Sequence, residues 1–198
     1  MTNGWTDSSQ GSDYGKNLLV GERVRLRPPS EDDLRVMSRW YMDPEYTTLQ
    51  SGTYTITSED ETFEQFKKWF SNTDKGGSGA NFAVEDIASG EVIGGINLFG
   101  AKLPQRTATV AIQLGGDHVG KGVGSEALGL AVGFGFRELG LNRIQLDVFA
   151  YNSRAIRAYE KVGFVIEGRR RQAMFHDGQF HDDLVMAILF EDWKAARA

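Results

Sequence analysis

Residues 119–124, Val-Gly-Lys-Gly-Val-Gly, form the segment whose residue types point most directly to chemistry. An apolar stretch precedes this segment and Ser-Glu-Ala-Leu follows it, a pattern typical of a strand, a tight turn and a helix start. Glycine suits a backbone that needs a positive φ or must approach a ligand closely. The free N–H groups and positive dipole end of a helix start attract an anion, most often a phosphate. The segment therefore predicts a site for a nucleotide-derived cofactor.

A second candidate segment, residues 152–164, carries a tyrosine on a predicted helix. Asn152 is expected to cap this helix, and Gly163 to end it. Ala155 and Tyr159 follow Asn152 at spacings that place all three on one helix face. A tyrosine with an ordinary pKa of about 10 stays protonated at neutral pH and can act as a general acid. The alternative role for Tyr159 is a buried aromatic residue with a satisfied hydroxyl.

Composition and charge narrow the class of protein. The chain has 198 residues and is 40% hydrophobic and 25% charged, as expected for one globular domain. Its net charge of −5, without a basic block, argues against nucleic acid as a partner. The chain contains no cysteine, so disulfides and thiolate nucleophiles are excluded and a cytoplasmic location is expected. No metal site is expected because the three histidines lack metal-ligand spacing, and no membrane partner because the longest apolar run is short.

The predicted elements explain how these segments would be positioned. Residues 1–16 are polar and rich in Gly and Ser, so we expect a disordered tail there and a single domain over 17–198. Strands are expected at 24–27, 81–86, 91–99, 107–114, 143–148, 164–170 and 183–190. Helices are expected at 30–41, from the capping box at 58–61 onward, at 122–139 and at 152–162. This order predicts an α/β fold with a mixed sheet and helices on its faces. Because GxGxxG and GxxxxGK[ST] are both absent, hydride transfer and nucleotide hydrolysis are disfavoured.

Taken together, these motifs resemble the GNAT superfamily of acetyl-CoA-dependent N-acetyltransferases over about residues 21–190. Residues 119–124 are similar to the family's pyrophosphate loop and residues 152–164 to its cofactor helix. Leu26-Arg-Pro-Pro-Ser-Glu-Asp-Asp-Leu34, with Trp40, Asp43-Pro44-Glu45, Asp182 and Met186, resembles the RimJ/RimL-like branch, which acetylates ribosomal-protein N-termini and small amines. The family's loop often begins with Gln or Arg where this chain has Val119. Since backbone N–H groups provide most of the grip, we expect one weaker contact.

The resemblance implies a mostly antiparallel seven-stranded sheet with a central splayed strand pair, about four flanking helices, and acetyl-CoA as cosubstrate. The implied catalytic groups are the N–H of Ile112, which would hold the thioester oxygen, and the Tyr159 hydroxyl, which would protonate the leaving thiolate. The implied acetyl-CoA-binding residues are Ile112, Leu114, Val119, Gly120, Lys121, Gly122, Val123, Gly124, Ser125, Asn152, Ala155 and Tyr159.

The general base is not assigned by the sequence. Many relatives carry a glutamate where this chain has Thr109, which cannot act as a base. A water chain, Glu45, Asp182 and His118 remain open as alternatives. An acceptor α-amino group, with a pKa near 7.7–8.0, would need a base less than an aliphatic amine does.

The expected function is direct transfer of acetyl to a primary amine, either a protein N-terminus or a small molecule. A covalent acetyl-enzyme is not expected because there is no cysteine. Contacts with the acceptor are expected from Trp40, Asp43, Glu45 and Tyr46. The alternative is a non-catalytic acyl-CoA-binding or sensing protein on the same fold. The family also makes a homodimer plausible.

Overall fold

A computed structural model of the protein describes residues 4–50, 56–71 and 79–197. The strands of the described chain are β1 (Val24–Arg27), β2 (Ala80–Asp86), β3 (Val92–Lys102), β4 (Thr107–Leu114), β5 (Arg143–Phe149), β6 (Val165–His176) and β7 (Gln179–Leu189). The α-helices are α1 (Ser8–Asn17), α2 (Glu31–Trp40), α3 (Pro44–Gln50), α4 (Glu59–Ser71), α5 (Val123–Arg137), α6 (Ser153–Val162) and α7 (Phe190–Ala195).

All seven strands belong to one sheet in the order β1-β2-β3-β4-β5-β7-β6. Every neighbouring pair is antiparallel except β4 and β5, which run parallel in the middle of the sheet. The α/β class and the mostly antiparallel seven-stranded sheet expected from the resemblance are confirmed. β4 has the predicted bounds, and the last hairpin turns at Asp177 and Gly178.

The helices cover both faces of the sheet. On one face α5 lies against the strands, and a Cβ on Gly135 would be 2.8 Å from the Ile144 side chain, so this helix approaches closely because it carries glycine there. On the other face α2 and α4 pack together around a separate apolar cluster of Leu34, Met37, Phe63, Phe66 and Phe70. Most of the aromatic side chains of α4 therefore belong to this core.

The helix count differs from the expected four, since the described residues contain seven α-helices. The additional helices are α1, α3 and α7. Part of the segment expected as a disordered tail is helical, because the Asp7 carboxylate accepts the N–H groups of Ser9 and Gln10 and caps α1. The Tyr14 hydroxyl of α1 donates to the Glu138 carboxylate, which ties α1 to the end of α5.

Within the described ranges, every helix is too short or too polar to cross a bilayer.

Candidate active site

The central strands separate along their length and open a cleft. β4 and β5 pair only where Thr107, Ala108 and Thr109 lie beside residues 143–145. Beyond that point β4 continues to Leu114 and β5 to Phe149 without pairing to each other. The splayed strand pair that the resemblance implied is therefore present.

The alternation of hydrogen bonds identifies the groups that face this gap. The Gly115 N–H donates to the carbonyl of Ile93 in β3, with an N–O distance of 3.0 Å. In an antiparallel pair, residues that exchange hydrogen bonds recur at every second position. Gln113 and Ala111 therefore turn their amides towards β3, whereas Ile112 and Leu114 turn theirs towards β5. The backbone groups expected to bind a ligand are the ones that line the open edge.

The loop before α5 has the geometry of an anion site. Gly120 and Gly122 have positive φ of 78° and 82°, which favours glycine at both positions. α5 begins at Val123 without a side-chain cap, so the first N–H groups of the helix have no intrahelical acceptor. The Arg23 guanidinium donates to the Lys121 carbonyl at 2.8 Å and braces the loop from outside.

The loop, β4, β5 and α6 together line a cleft of about 660 Å³. Its lining includes most of the predicted ligand-binding residues, namely Ile112, Leu114, Val119, Gly120, Gly122, Gly124, Ser125, Asn152, Ala155 and Tyr159. Lys121 and Val123 are outside this lining: Val123 is buried in the core, and Lys121 is exposed. The Ser125 hydroxyl donates to the Ala158 carbonyl at 3.3 Å, so it also joins α5 to α6.

Tyr159 lines this cleft. Its ring packs 6.2 Å from that of Phe164, between centroids. No residue that the structure describes forms a hydrogen bond with the Tyr159 hydroxyl. Burial raises the pKa of Tyr159 to about 12, so its proton is retained at neutral pH. The side chain can therefore donate a proton to a group in the cleft.

Three basic side chains of α6, those of Arg154, Arg157 and Lys161, also line the cleft. The sequence analysis did not select them. Their spacing of three and four residues places them on one helix face, and that spacing was the available signal. With the N-terminus of α5, they make this end of the cleft suitable for phosphate groups.

A second cavity of about 640 Å³ lies on the α2–α4 face of the sheet. We call it the aromatic cavity; its lining is Tyr41, Tyr46, Gln50, Trp69, Phe70, Gly79, Asn81, Asn97, Phe99, Gly100, Ala111, Ile112 and Gln113. It shares Gln50, Phe99, Ala111 and Ile112 with the cleft, so the two spaces meet at the open edge of β4.

The four residues expected to contact an acceptor differ in their placement. Tyr46 lines the aromatic cavity and donates to the Gln113 Oε1 at 2.8 Å. Trp40 instead packs on Gly115, where an added Cβ would come within 2.7 Å of the indole ring. Asp43 accepts the Glu45 N–H at 2.9 Å at the start of α3, and Glu45 is exposed. The acceptor contacts of these residues stay predictions.

The carboxylates that line the cleft are not the base candidates suggested by the sequence. Glu45, Asp182 and His118 lie outside the described lining of both spaces. Asp182 is turned away and accepts from Arg169 at 2.8 Å. Asp147 of β5 and Asp183 of β7 line the cleft, and the sequence analysis missed both.

Comparison with known proteins finds acetyltransferases of similar sequence and similar fold. A spermidine N(1)-acetyltransferase of Escherichia coli (strain K12) is 28% identical over 172 residues, covering 87% of this chain and 89% of the relative. The crystal structure of spermidine N-acetyltransferase from Vibrio cholerae in complex with CoA and spermine is 26% identical, with a TM-score of 0.77, covering 88% of this chain and 99% of that one. A GNAT-family acetyltransferase structure from Bacillus anthracis, 23% identical with a TM-score of 0.72, shares the fold over 87% of this chain and 98% of its own.

A family model described as the acetyltransferase (GNAT) domain matches residues 23–165, well over half of the chain. The matched region contains β1 to β5, the loop before α5, and α6 with Tyr159. The chain therefore belongs to the GNAT family and is an N-acetyltransferase that uses acetyl-CoA as its cosubstrate.

Proposed function

We propose that this enzyme transfers acetyl directly to a primary amine of a small, multiply charged molecule of the polyamine class. The observation that carries the proposal is the junction of the cleft and the aromatic cavity at Ala111 and Ile112. An acyl group held along β4 from one side would meet an amine arriving from the other side at this junction. Relatives that act on spermidine by name support the acceptor class.

The cosubstrate is proposed to lie along the cleft. Acetyl-CoA supplies an acyl carbon activated as a thioester. The N–H groups at the start of α5, together with Arg154, Arg157 and Lys161, are suited to its phosphates. The outward-facing backbone of Ile112 and Leu114 offers hydrogen bonds to an extended amide-containing arm, in the way that an added strand would.

Two groups of the chain are proposed to assist the reaction at the junction. The Ile112 N–H faces the gap and can donate to an oxygen that gains negative charge. The Tyr159 hydroxyl keeps its proton because its pKa is about 12, and it can release this proton to a departing sulfur. We assign no side chain as the base.

A homodimer and a cytoplasmic location stay predictions, and a protein N-terminus is the alternative acceptor that the test below compares with a polyamine. The alternative of a non-catalytic acyl-CoA sensor is not supported by the relatives, which are named as acetyltransferases.

A thiol-release assay tests the proposal, because a protein without cysteine gives no background with a thiol-reactive dye. We expect thiol release with acetyl-CoA and spermidine and much less with a peptide N-terminus. Ala111→Leu should obstruct the junction and raise KM for the amine more than it raises the Kd for CoA in calorimetry, because Ala111 lines both spaces. Ala88→Leu, in the exposed β2–β3 turn, is the matched control and should behave as wild type. CoA binding without release for any amine would refute the proposal.

A further inference from the structure

Two aspartates on neighbouring strands of the sheet also line the cleft. Asp147 lies opposite Val185 in the β5–β7 pair, and Asp183 lies opposite Phe149. Residues directly opposite each other, and those two apart on one strand, share a face of the sheet. Both carboxylates are therefore on one face. It is the face of Thr109 and Ala111, because Thr109 pairs with Gln145 of β5. We call Asp147 and Asp183 the acidic pair.

The acidic pair shares one counter-ion. The Arg170 Nη2 lies 2.9 Å from the Asp147 Oδ1 and also donates to the Asp183 Oδ2. Two carboxylates with a single guanidinium leave the group with a net charge of −1. The Asp147 side chain is half exposed, so this charge is accessible from the cleft.

Asp183 retains an unused acceptor. Its side chain is only 5% exposed, and its Oδ1 accepts no hydrogen bond from any residue within the described ranges. A buried acceptor oxygen without a hydrogen bond is unfavourable, although the other oxygen of this carboxylate is paired with Arg170. Asp183 also lines the cleft, so a cationic ligand there would compensate its charge.

The charges around the junction favour a cation as the ligand of the acidic pair. The described lining of the aromatic cavity carries aromatic, amide and aliphatic side chains but no carboxylate. The α6 end of the cleft is basic through Arg154, Arg157 and Lys161. Among the described residues that line the two spaces, a cation is therefore attracted most strongly to the acidic pair.

We infer that the acidic pair binds a second, non-reacting ammonium group of the acceptor, which would contact the half-exposed Asp147 carboxylate and gain its specificity from the charge of Asp183 beside it. The inference rests on the proposed function and adds the residues that distinguish a diamine from a monoamine. β7 is two strands from β4, and β4 and β5 have separated beyond Thr109, so the strand axes are at least about 10 Å apart. One nitrogen cannot contact both Asp183 and the open edge of β4, so an acceptor that reaches both places needs two nitrogens in one elongated molecule.

Steady-state kinetics with putrescine and with n-butylamine, which lacks the second nitrogen, test this assignment. Wild type should prefer putrescine in kcat/KM. Asp183→Asn keeps the shape but removes the charge, and should lower kcat/KM for putrescine about 10- to 100-fold, because the acidic pair then has no net negative charge. The value for n-butylamine should be unchanged. Asp182→Asn is the matched control, since the neighbouring Asp182 is turned away and paired with Arg169.

A binding measurement separates this inference from the proposed function. Putrescine is titrated calorimetrically into the CoA-loaded wild type and Asp183→Asn variant. Weaker binding to the variant supports the acidic pair even if no amine is turned over, in which case only the proposed function fails. Equal putrescine affinity in both proteins would overturn the inference. So would an equal loss of activity towards putrescine and n-butylamine, because a structural role would affect both amines alike.

Discussion

The side-chain amide of Asn152 donates a hydrogen bond to the main-chain carbonyl of Leu49, with an N–O distance of 3.2 Å. The Oδ1 of the same side chain accepts the Ala155 N–H at 3.1 Å and caps α6. The neighbouring Tyr151 hydroxyl donates to the Thr48 carbonyl at 2.5 Å. The end of α3 is thus tied to the start of α6, and Gln50 is held where the cleft and the aromatic cavity meet.

Asn152→Ala and Asn152→Asp should separate the two roles of this side chain. The alanine variant loses the cap and should lower the free energy of unfolding by about 1–2 kcal/mol. The aspartate variant keeps a capping oxygen but turns its second carboxylate oxygen towards the Leu49 carbonyl, so it should keep the cap, lose the tie to α3 and acetylate amines more slowly. Urea unfolding and steady-state kinetics measure both effects. Wild-type stability of the alanine variant would contradict a capping role, and wild-type turnover of the aspartate variant would contradict the role of the tie to α3.

Tyr159→Phe should slow turnover by roughly 10²–10⁴-fold, because it removes the proton donor from the cleft. The Kd for CoA, measured by calorimetry, should change little, since the ring and its contact with Phe164 remain. Tyr14→Phe, in the distant contact between α1 and Glu138, is the control and should keep wild-type activity. Near-normal turnover of the Tyr159 variant would exclude the general-acid role.

The raised pKa of Tyr159 also predicts a change in alkaline stability. Burial raises this pKa to about 12, above the value of about 10 expected in the unfolded chain. The contribution of the buried neutral phenol is therefore complete below pH 10 and is lost as the pH rises through 12. Thermal unfolding from pH 8 to 12 should show a smaller alkaline decrease in Tm for Tyr159→Phe than for wild type. Parallel decreases would contradict the assignment.

Local signals made much of the fold and part of the site predictable. The capping box of Ser30 and Asp33, the glycine at position 122 and the cap at Asn152 each act within a few residues, and each marks the helix start seen in the structure. The open edge of β4 followed from the family resemblance. The sequence pattern therefore predicted most of the residues that line the cofactor-binding part of the cleft.

The acidic pair could not be predicted in this way. Asp182 and Asp183 are adjacent, and only the pairing of β7 with β5 decides which of them faces the cleft. A shift of one residue in that register would exchange their faces. The aspartate selected from the sequence, Asp182, faces away. Long-range register also brings Asp147 to Arg170, and no local pattern records that contact.

Arg27 should be the most important ionic residue for stability at the edge of the sheet. Its guanidinium donates to Asp33 at 2.9 Å and to Glu85, whose side chains are both largely buried. Arg27→Met leaves these carboxylates poorly paired and should cost about 3 kcal/mol at neutral pH, a moderate value because Arg27 is itself 28% exposed. Arg25→Gln, which removes a more exposed partner of Glu85, should cost about 0–1 kcal/mol. Urea unfolding provides the comparison.

The loss of unfolding free energy in Arg27→Met should depend on pH in a definite direction. The hydrogen bond from Arg27 lowers the pKa of Glu85 below its usual value of 4.5. The stabilisation is therefore present above about pH 4.5 and is lost as the pH falls through the lowered pKa. The difference between wild type and Arg27→Met should be constant from pH 6 to 8 and decrease on acidification. A difference that does not change with pH would show that lost packing, not charge, is the cause.

Two glycines of the α5 region should respond oppositely to alanine. Gly122 has a φ of 82°, and an added Cβ would lie 3.3 Å from Arg23 Nη2, so Gly122→Ala strains the loop that presents the α5 N–H groups. We expect the Kd for CoA to rise about 10-fold and the free energy of unfolding to fall by about 1–2 kcal/mol.

Gly129 lies within α5, and an added Cβ there contacts nothing within 4 Å. Gly129→Ala should therefore leave CoA binding unchanged and stabilise the protein by about 0.5–1 kcal/mol. Calorimetry with CoA and urea unfolding of Gly122→Ala and Gly129→Ala test these expectations. Wild-type CoA affinity in Gly122→Ala would show that the loop does not bind the phosphates through this backbone conformation.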